Sequence, residues 1–346
     1  SNDFKTSNDQ LLVSLSGLEE NLEKGIELLQ HWMYDVKPDQ EIYSQFVETV
    51  LENRTAVKKD KGRIMSALTN YTKLGEFSRE SSAIEVFTDR MKNLFKFPYQ
   101  IFFYGKDFER FTAYIGKYTE NESLSVPEPK QYPEPETIGN VYFTNYDMVQ
   151  MEMSKVGKGH SVNIENFGKI NVFNEYFGRG LSSIVFQEIR ESKSLAYSAY
   201  VSYAPNSELN HPDYITTYIG TQPDKLQIAV DTMTELMSEL PEVPSQFENA
   251  RNAALKQIAS TRITRTNIFF NTLRLKKLNI HHDFRKDIYQ QIENLSFDDL
   301  KQFYNTDIKP INFNTAIIGK KENLNREAVD QMGTFKEVSL KDIFGH

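Results

Sequence analysis

A chain of 346 residues is long enough for two domains, each with a substantial core. Its 39% hydrophobic and 25% charged residues give the balance of a soluble globular protein. A net charge of −8 argues against a nucleic-acid binder, and the lack of cysteine removes disulfides, thiolate metal sites and cysteine nucleophiles together.

No apolar run approaches the roughly 18 to 20 residues of a membrane span. The chain opens on Ser1 without a signal peptide, as a mature or trimmed product would. Leu11 to Leu15 reads as a strand running into Gly17. The helix after it carries Leu18, Leu22, Ile26, Leu29 and Met33 on one face, with Ser16-x-x-Glu19 as a capping signal. The basic run from Lys58 to Arg63 reads as a solvated helix end or turn. Tyr99 to Gly105 reads as a closing strand that ends in glycine.

Asn121 to Thr137 holds prolines at 127, 129, 133 and 135, a density that favours an extended connector. It divides the chain into segments 1–120 and 138–346. In the second segment Val149, Met151 and Met153 alternate as a half-buried strand should. Apolar positions from Val172 to Ile189 follow helical spacing, interrupted at Gly178 and Gly180, where a tight bend or close packing is expected. Tyr197, Ala199, Val201 and Tyr203 alternate as a strand, and Tyr214 to Ile219 reads as another, ending at Gly220. Thr221-x-x-Asp224 opens a helix bearing Leu226, Ala229, Met233, Leu236 and Leu240. Ser245-x-x-Glu248 after Pro244 opens a long helix reaching into the 270s, and Ser296-x-x-Asp299 opens a short one. Phe313 to Gly319 closes the segment.

Strand, glycine, helices and closing strand recur in the same order in both segments, which suggests an internal duplication. The first copy lacks the opening elements of the second, as though the chain began in the middle of a domain. Strands and helices without regular alternation predict an α+β fold of two similar domains, each a largely antiparallel sheet packed by helices.

The six histidines stand at 31, 160, 211, 281, 282 and 346, so neither His-Glu-x-x-His nor His-x-x-Glu-His is present. Two imidazoles on one helix face need that spacing to reach one zinc ion. His281 and His282 are adjacent and read as closing a helix C-terminus. No Gly-x-Ser-x-Gly elbow and no phosphate-binding Gly-x-x-x-x-Gly-Lys loop occurs. Motifs alone place no catalytic machinery in this chain.

One stretch carries a family likeness. From Phe173 to Ser198 it holds Asn174, Gly178, Gly180, Ser182 and Ser183, then the apolar Ile184, Val185 and Phe186, then Arg190-Glu191 and Leu195-Ala196-Tyr197. This order resembles the corresponding stretch of the pitrilysin/insulinase zinc metallopeptidases, and Tyr218-Ile219-Gly220-Thr221-x-Pro223 and Ile317-Ile318-Gly319 fit the same family. The likeness covers most of 140 to 320 and, more loosely, 10 to 115. It implies the C-terminal, non-zinc-binding half of such an enzyme, with two similar LuxS/peptidase-like domains, and a clamshell in which the other half holds zinc. That half would lie on the same polypeptide or on a separate subunit. Arg190 and Tyr197, seven residues apart, would offer substrate-binding and oxyanion-stabilising donors to a peptide. Read without the resemblance, Arg190 complements a helix dipole and pairs with Glu188 or Glu191, and Tyr197 faces a core. The alternative function is a non-catalytic scaffold or partner subunit of the same fold. Family habit points to a bacterial periplasm or envelope.

Overall fold

The computed structural model describes residues 1–7, 10–35, 37–75, 83–116, 125–126 and 134–346. The chain divides into two compact units, Ser1–Arg54 with Arg79–Tyr132, and Thr55–Ser78 with Pro133–His346. Most of the proline-rich connector (121–124 and 127–133) lies outside the described residues.

The first unit begins with strands β1 (Asn2–Ser7) and β2 (Gln10–Leu15), an antiparallel hairpin. Helices α1 (Leu22–Tyr34) and α2 (Gln40–Val57) follow. Helix α3 (Lys61–Leu74) belongs to the second unit, and the chain then returns to α4 (Ile84–Asn93) and α5 (Phe108–Ile115). Its buried cluster is small: Ile26, Phe111 and Tyr114. The predicted closing strand Tyr99–Gly105 is not a strand. Among the described residues the sheet here is β1–β2 alone, and Phe103 instead stacks its ring on Phe111 of α5 at 4.3 Å. The Ser16 capping box does not form either. Glu19 turns away to accept from the backbone N–H groups of Lys106 and Asp107 at 2.9 and 2.8 Å.

The second unit is built on a six-stranded sheet. In chain order its elements are β3 (Asn140–Asn145), β4 (Met151–Ser161), α6 (Phe167–Phe173), β5 (Ser198–Ala204) and β6 (Pro212–Thr221). Helices α7 (Leu226–Leu236), α8 (Pro244–Ser260), α9 (Asn267–Lys277), α10 (Arg285–Glu293) and α11 (Phe297–Phe303) come next. Strand β7 (Phe313–Gly319), α12 (Arg326–Met332), β8 (Thr334–Glu337) and α13 (Leu340–Phe344) complete it. Across the sheet the order is β5-β6-β4-β7-β3-β8. The β5, β6, β4 and β7 pairings are antiparallel, and β3 runs parallel to β7 and β8. The fold is α+β.

Period-two alternation puts β4 in contact with both layers. Met151 and Met153 join the main core with Val172, Phe173, Phe177, Ile219 and Ile317. On the opposite face Ile64, Met65, Leu68 and Tyr71 of α3 pack with Ala316, Ile318, Ile343 and Phe344. Glu152 and Ser154 are therefore buried as well, and β4 is covered on both sides, not half-buried as its pattern suggested. Each fully buried large apolar side chain contributes roughly 1.5 to 3 kcal/mol.

The long helix expected from Ser245 is broken. Helix α8 ends at Ser260 and α9 starts at Asn267. The run Thr261, Ile263, Thr264 and Thr266 is β-branched and a poor helix former, and Arg265 turns the chain at φ +55°. Pro244 occupies the first turn with Val243 as the cap, so Ser245 does not cap. Ser296 and Asp299 do form their capping box on α11. His281 and His282 lie beyond α9 in a loop, where His282 Nε2 sits 2.7 Å from Asp287 Oδ2.

Asp213, at the start of β6, accepts from the Asn206 N–H at 2.9 Å. Burial pushes its carboxyl up from 3.8 to about 6, Asp307 adds to the rise, and Asn206, Tyr203 and His160 oppose it. The folded value exceeds the ordinary one, so this group's contribution to stability is complete below 3.8 and is lost as pH rises through about 6. Asp213→Asn keeps the acceptor and removes the titration. Between about pH 4 and pH 7 the wild-type melting temperature should therefore change less favourably than that of Asp213→Asn. Hydrogen bonds hold the carboxyls of Asp283, Asp299 and Asp342 below the usual range, and these contribute alike to both proteins. Parallel pH profiles for the two proteins would show that Asp213 is not the group responsible.

Candidate functional site

The segment that leads to the predicted site residues first closes the edge of the sheet. Strand β5 is outermost, and an outer strand leaves backbone groups without a ladder partner. Helix α6 runs on through a π-helical turn, Asn174–Gly178, laid against this edge. There Asn174 acts as a substitute strand: its Nδ2 donates to the Tyr203 carbonyl and its Oδ1 accepts from the Tyr203 N–H, both at 2.8 Å. The Arg179 guanidinium donates to the Ser202 hydroxyl. Gly178 lies so close that a Cβ there would be 2.0 Å from the Val201 carbonyl oxygen, and Gly180 turns the chain at φ +86°. Of the tight bend or close packing expected here, the close packing is found at Gly178 and the bend at Gly180. Asn174→Ala, by stripping both partners from Tyr203, is expected to cost roughly 2 to 4 kcal/mol in urea unfolding and to raise amide exchange at Tyr203.

A second π-helical turn, Phe186–Ser192, carries Arg190. Its side chain is 46% exposed, its Nε stands 3.7 Å from Glu191 Oε1, and its guanidinium lies 4.8 Å from the Phe186 ring centre. An exposed ion pair at that separation contributes little. The loop from Arg190 to Tyr197 is pinned at several points. The Leu195 N–H donates to the Ile189 carbonyl and the Tyr197 N–H to the Gly220 carbonyl, both at 2.9 Å. Thr221 donates its hydroxyl to the Leu195 carbonyl, which is why it does not cap the next helix. Lys225 Nζ reaches the carbonyl of Ser194, a residue held at φ +49°.

Tyr197 does not face the core. It is 55% exposed, and its hydroxyl accepts from Gln222 Nε2 at 2.9 Å. It lines a surface cavity of about 270 Å³ together with Lys61, Met148, Val149, Gln150 and Gln222. Lys61, in the first turn of α3, ion-pairs with Glu152 at 2.8 Å and donates to Gln150 Oε1 at 3.2 Å. Burial, reinforced by the neighbouring Glu152 to which it hydrogen-bonds, pushes the Tyr218 hydroxyl above its ordinary range, so that hydroxyl stays protonated. Arg190 is not part of this cavity's lining. A larger cavity, about 420 Å³ between α8 and α11, includes neither Arg190 nor Tyr197.

Lys61, Gln150 and Gln222 were not singled out by motif. Lys61 belongs to the basic run that reads as a solvated turn, and only the docking of α3 on β4 brings it to Tyr197. Among the described residues no three His, Cys, Asp or Glu side chains come together as a metal ion requires. The described residues therefore do not fit a zinc site. No helix among the described residues is long and apolar enough to cross a membrane.

Residues 100–253, which include Arg190 and Tyr197, match the family model described as the peptidase M16 inactive domain. An uncharacterized zinc protease of Bacillus subtilis, YmxG, is 37% identical over 83 residues, 24% of this chain and 20% of that protein. One from Rickettsia bellii is 33% identical over 127 residues, 36% of this chain and 29% of that protein. The matched stretches thus span less than a third of these relatives' length. Among solved structures, the peptidase M16 inactive domain from Pseudomonas fluorescens superimposes with a TM-score of 0.64 at 13% identity, over 92% of this chain and 81% of that one. Residues 100–253 thus match the inactive domain of the M16, or pitrilysin/insulinase, peptidases, and the fold of the chain is similar to that of the solved inactive domain.

Proposed function

We propose that this chain is the substrate-gripping half of a zinc metalloendopeptidase that cleaves peptides or unfolded segments. In this reading Arg190 and Tyr197 donate hydrogen bonds to a peptide carbonyl, and the zinc is held by another half, on the same polypeptide or on a partner subunit. The observation that carries the reading is the exposure of Tyr197. Its ring leaves the core, and its hydroxyl is held at a cavity mouth by an amide that takes up only its acceptor capacity. The hydroxyl proton is therefore available to a carbonyl. A guanidinium and a phenol placed at a carbonyl favour the state in which that oxygen gains charge.

The first unit supports a duplicated arrangement. Its β1–β2 hairpin leads into α1 as the β5–β6 hairpin leads into α7, yet its buried cluster is small and Leu18, Ile42, Phe46 and Phe108 are exposed. We read it as part of a second copy of the fold, completed elsewhere, within a clamshell enclosing the substrate. Family habit would put such an enzyme in a bacterial periplasm or envelope.

The test is reconstitution of this chain with its zinc-bearing half, assayed on a quenched peptide library with zinc quantified. The reading expects the assembly to cleave peptides and this chain alone to cleave none. An assembly that holds zinc's partner half in place yet cleaves nothing would leave the scaffold role as the function of this fold.

A further inference from the structure

We propose that Lys61 makes the cavity beside Tyr197 a carboxylate subsite, taking either the C-terminal carboxylate or an acidic side chain of the bound peptide. This rests on the peptide-binding reading of Tyr197 given above. At about 270 Å³ the cavity is below the roughly 300 to 1,000 Å³ of pockets for drug-sized ligands, and suits a single side chain or a chain end.

Its wall selects for an anion. Among the described residues Lys61 is the one charged residue in the lining, and no acid lines it. Glu152 pairs with Lys61 from a buried position, its own side chain 4% exposed against 53% for the lysine. Glu152 also receives the Tyr218 hydroxyl, so its charge is shared between two donors. An ammonium group carries three N–H donors. Glu152 and Gln150 occupy two of those on Lys61, leaving one for a ligand. Gln222 uses one amide hydrogen on Tyr197 and retains another, and the Tyr197 hydroxyl retains its own. Met148 and Val149 supply the apolar wall against which an aliphatic stem can lie. A cationic group in the same place would meet the half-exposed ammonium directly, while Glu152, which offsets part of that charge, is itself buried and not among the lining residues. The lysine is also positioned before any ligand arrives, because the buried carboxylate holds it in place, and pre-organisation lowers the ordering cost of binding.

The test is fluorescence anisotropy on the full 346-residue chain with N-terminally labelled hexapeptides. One peptide has neutral side chains and an amidated C-terminus, a second has the free carboxylate, and a third keeps the amide with Glu replacing Gln at one position. One of the two carboxylate peptides should bind roughly three- to tenfold tighter than the amide, the range for a partly exposed charge-assisted contact. Which one it is identifies the source of the carboxylate. In Lys61→Met combined with Glu152→Gln, which leaves no unpaired buried charge, the ratio should fall to one. In Lys61→Arg the preference should persist. Equal binding of all three peptides, no binding of any, or a preference surviving in the double variant would overturn the subsite. Cleavage by the reconstituted assembly is a separate readout. Cleavage without carboxylate preference sinks the subsite alone, and carboxylate-selective binding without cleavage sinks the peptidase reading alone.

Discussion

Tyr197→Phe is expected to lower kcat/KM of the reconstituted peptidase by about 10²- to 10³-fold, the usual effect of removing one oxyanion-type donor. The substitution keeps the ring and deletes the hydroxyl. The hydroxyl's partner is Gln222, which is exposed and finds water in its place, so folding stability should stay within about 0.5 kcal/mol of wild type. An activity loss without a stability loss is what separates a substrate donor from a packing residue. Because the donor matters most where charge develops, the loss should fall on kcat more than on KM. Arg190→Ala should behave alike. Its contact with Glu191 is long and exposed and carries little folding energy. Unchanged kinetics in both variants, with zinc still bound by the other half, would make these two residues surface features of a scaffold.

The α+β class and several elements were legible in the sequence because local signals and tertiary packing agree there. Phe313–Gly319 is found as a strand over that span, and the Ser296–Asp299 box caps α11. Elsewhere a tertiary partner claims the local signal. Thr221 and Glu19 have capping spacing, but their side chains bond to the Leu195 carbonyl and to the backbone at 106–107 instead. Tyr99 to Gly105 has strand composition, yet among the described residues it pairs with no strand, and the Phe103 ring packs on Phe111 of α5 instead. Nor could alternation along β4 reveal that α3, nearly a hundred residues earlier in the chain, covers its polar face. That same docking brings Lys61 to Tyr197, so half of the candidate site is invisible to any local pattern.

The family-like stretch has a second physical content, and Gly178→Ala exposes it. This variant is expected to be among the most destabilising single substitutions in the second unit, costing about 3 to 5 kcal/mol. The added methyl would be 2.0 Å from the Val201 carbonyl oxygen and 2.8 Å from its carbon. Both are backbone atoms of the outer strand, so no side chain can rotate away to make room. Either the π-helical turn lifts off β5 or the strand shifts, and each response breaks the paired hydrogen bonds between Asn174 and Tyr203. Gly180→Ala is the control. That glycine has φ +86° but nothing within 4 Å of a Cβ, so only the left-handed backbone cost applies, about 1 kcal/mol. Urea unfolding followed by far-UV circular dichroism should rank Gly178→Ala well below Gly180→Ala. Equal midpoints would mean that the edge-covering turn yields freely. If the expected ranking holds, Asn174 and Gly178 are explained by closure of the sheet edge, and Arg190 and Tyr197 remain the residues of the stretch whose exposure no packing requirement accounts for.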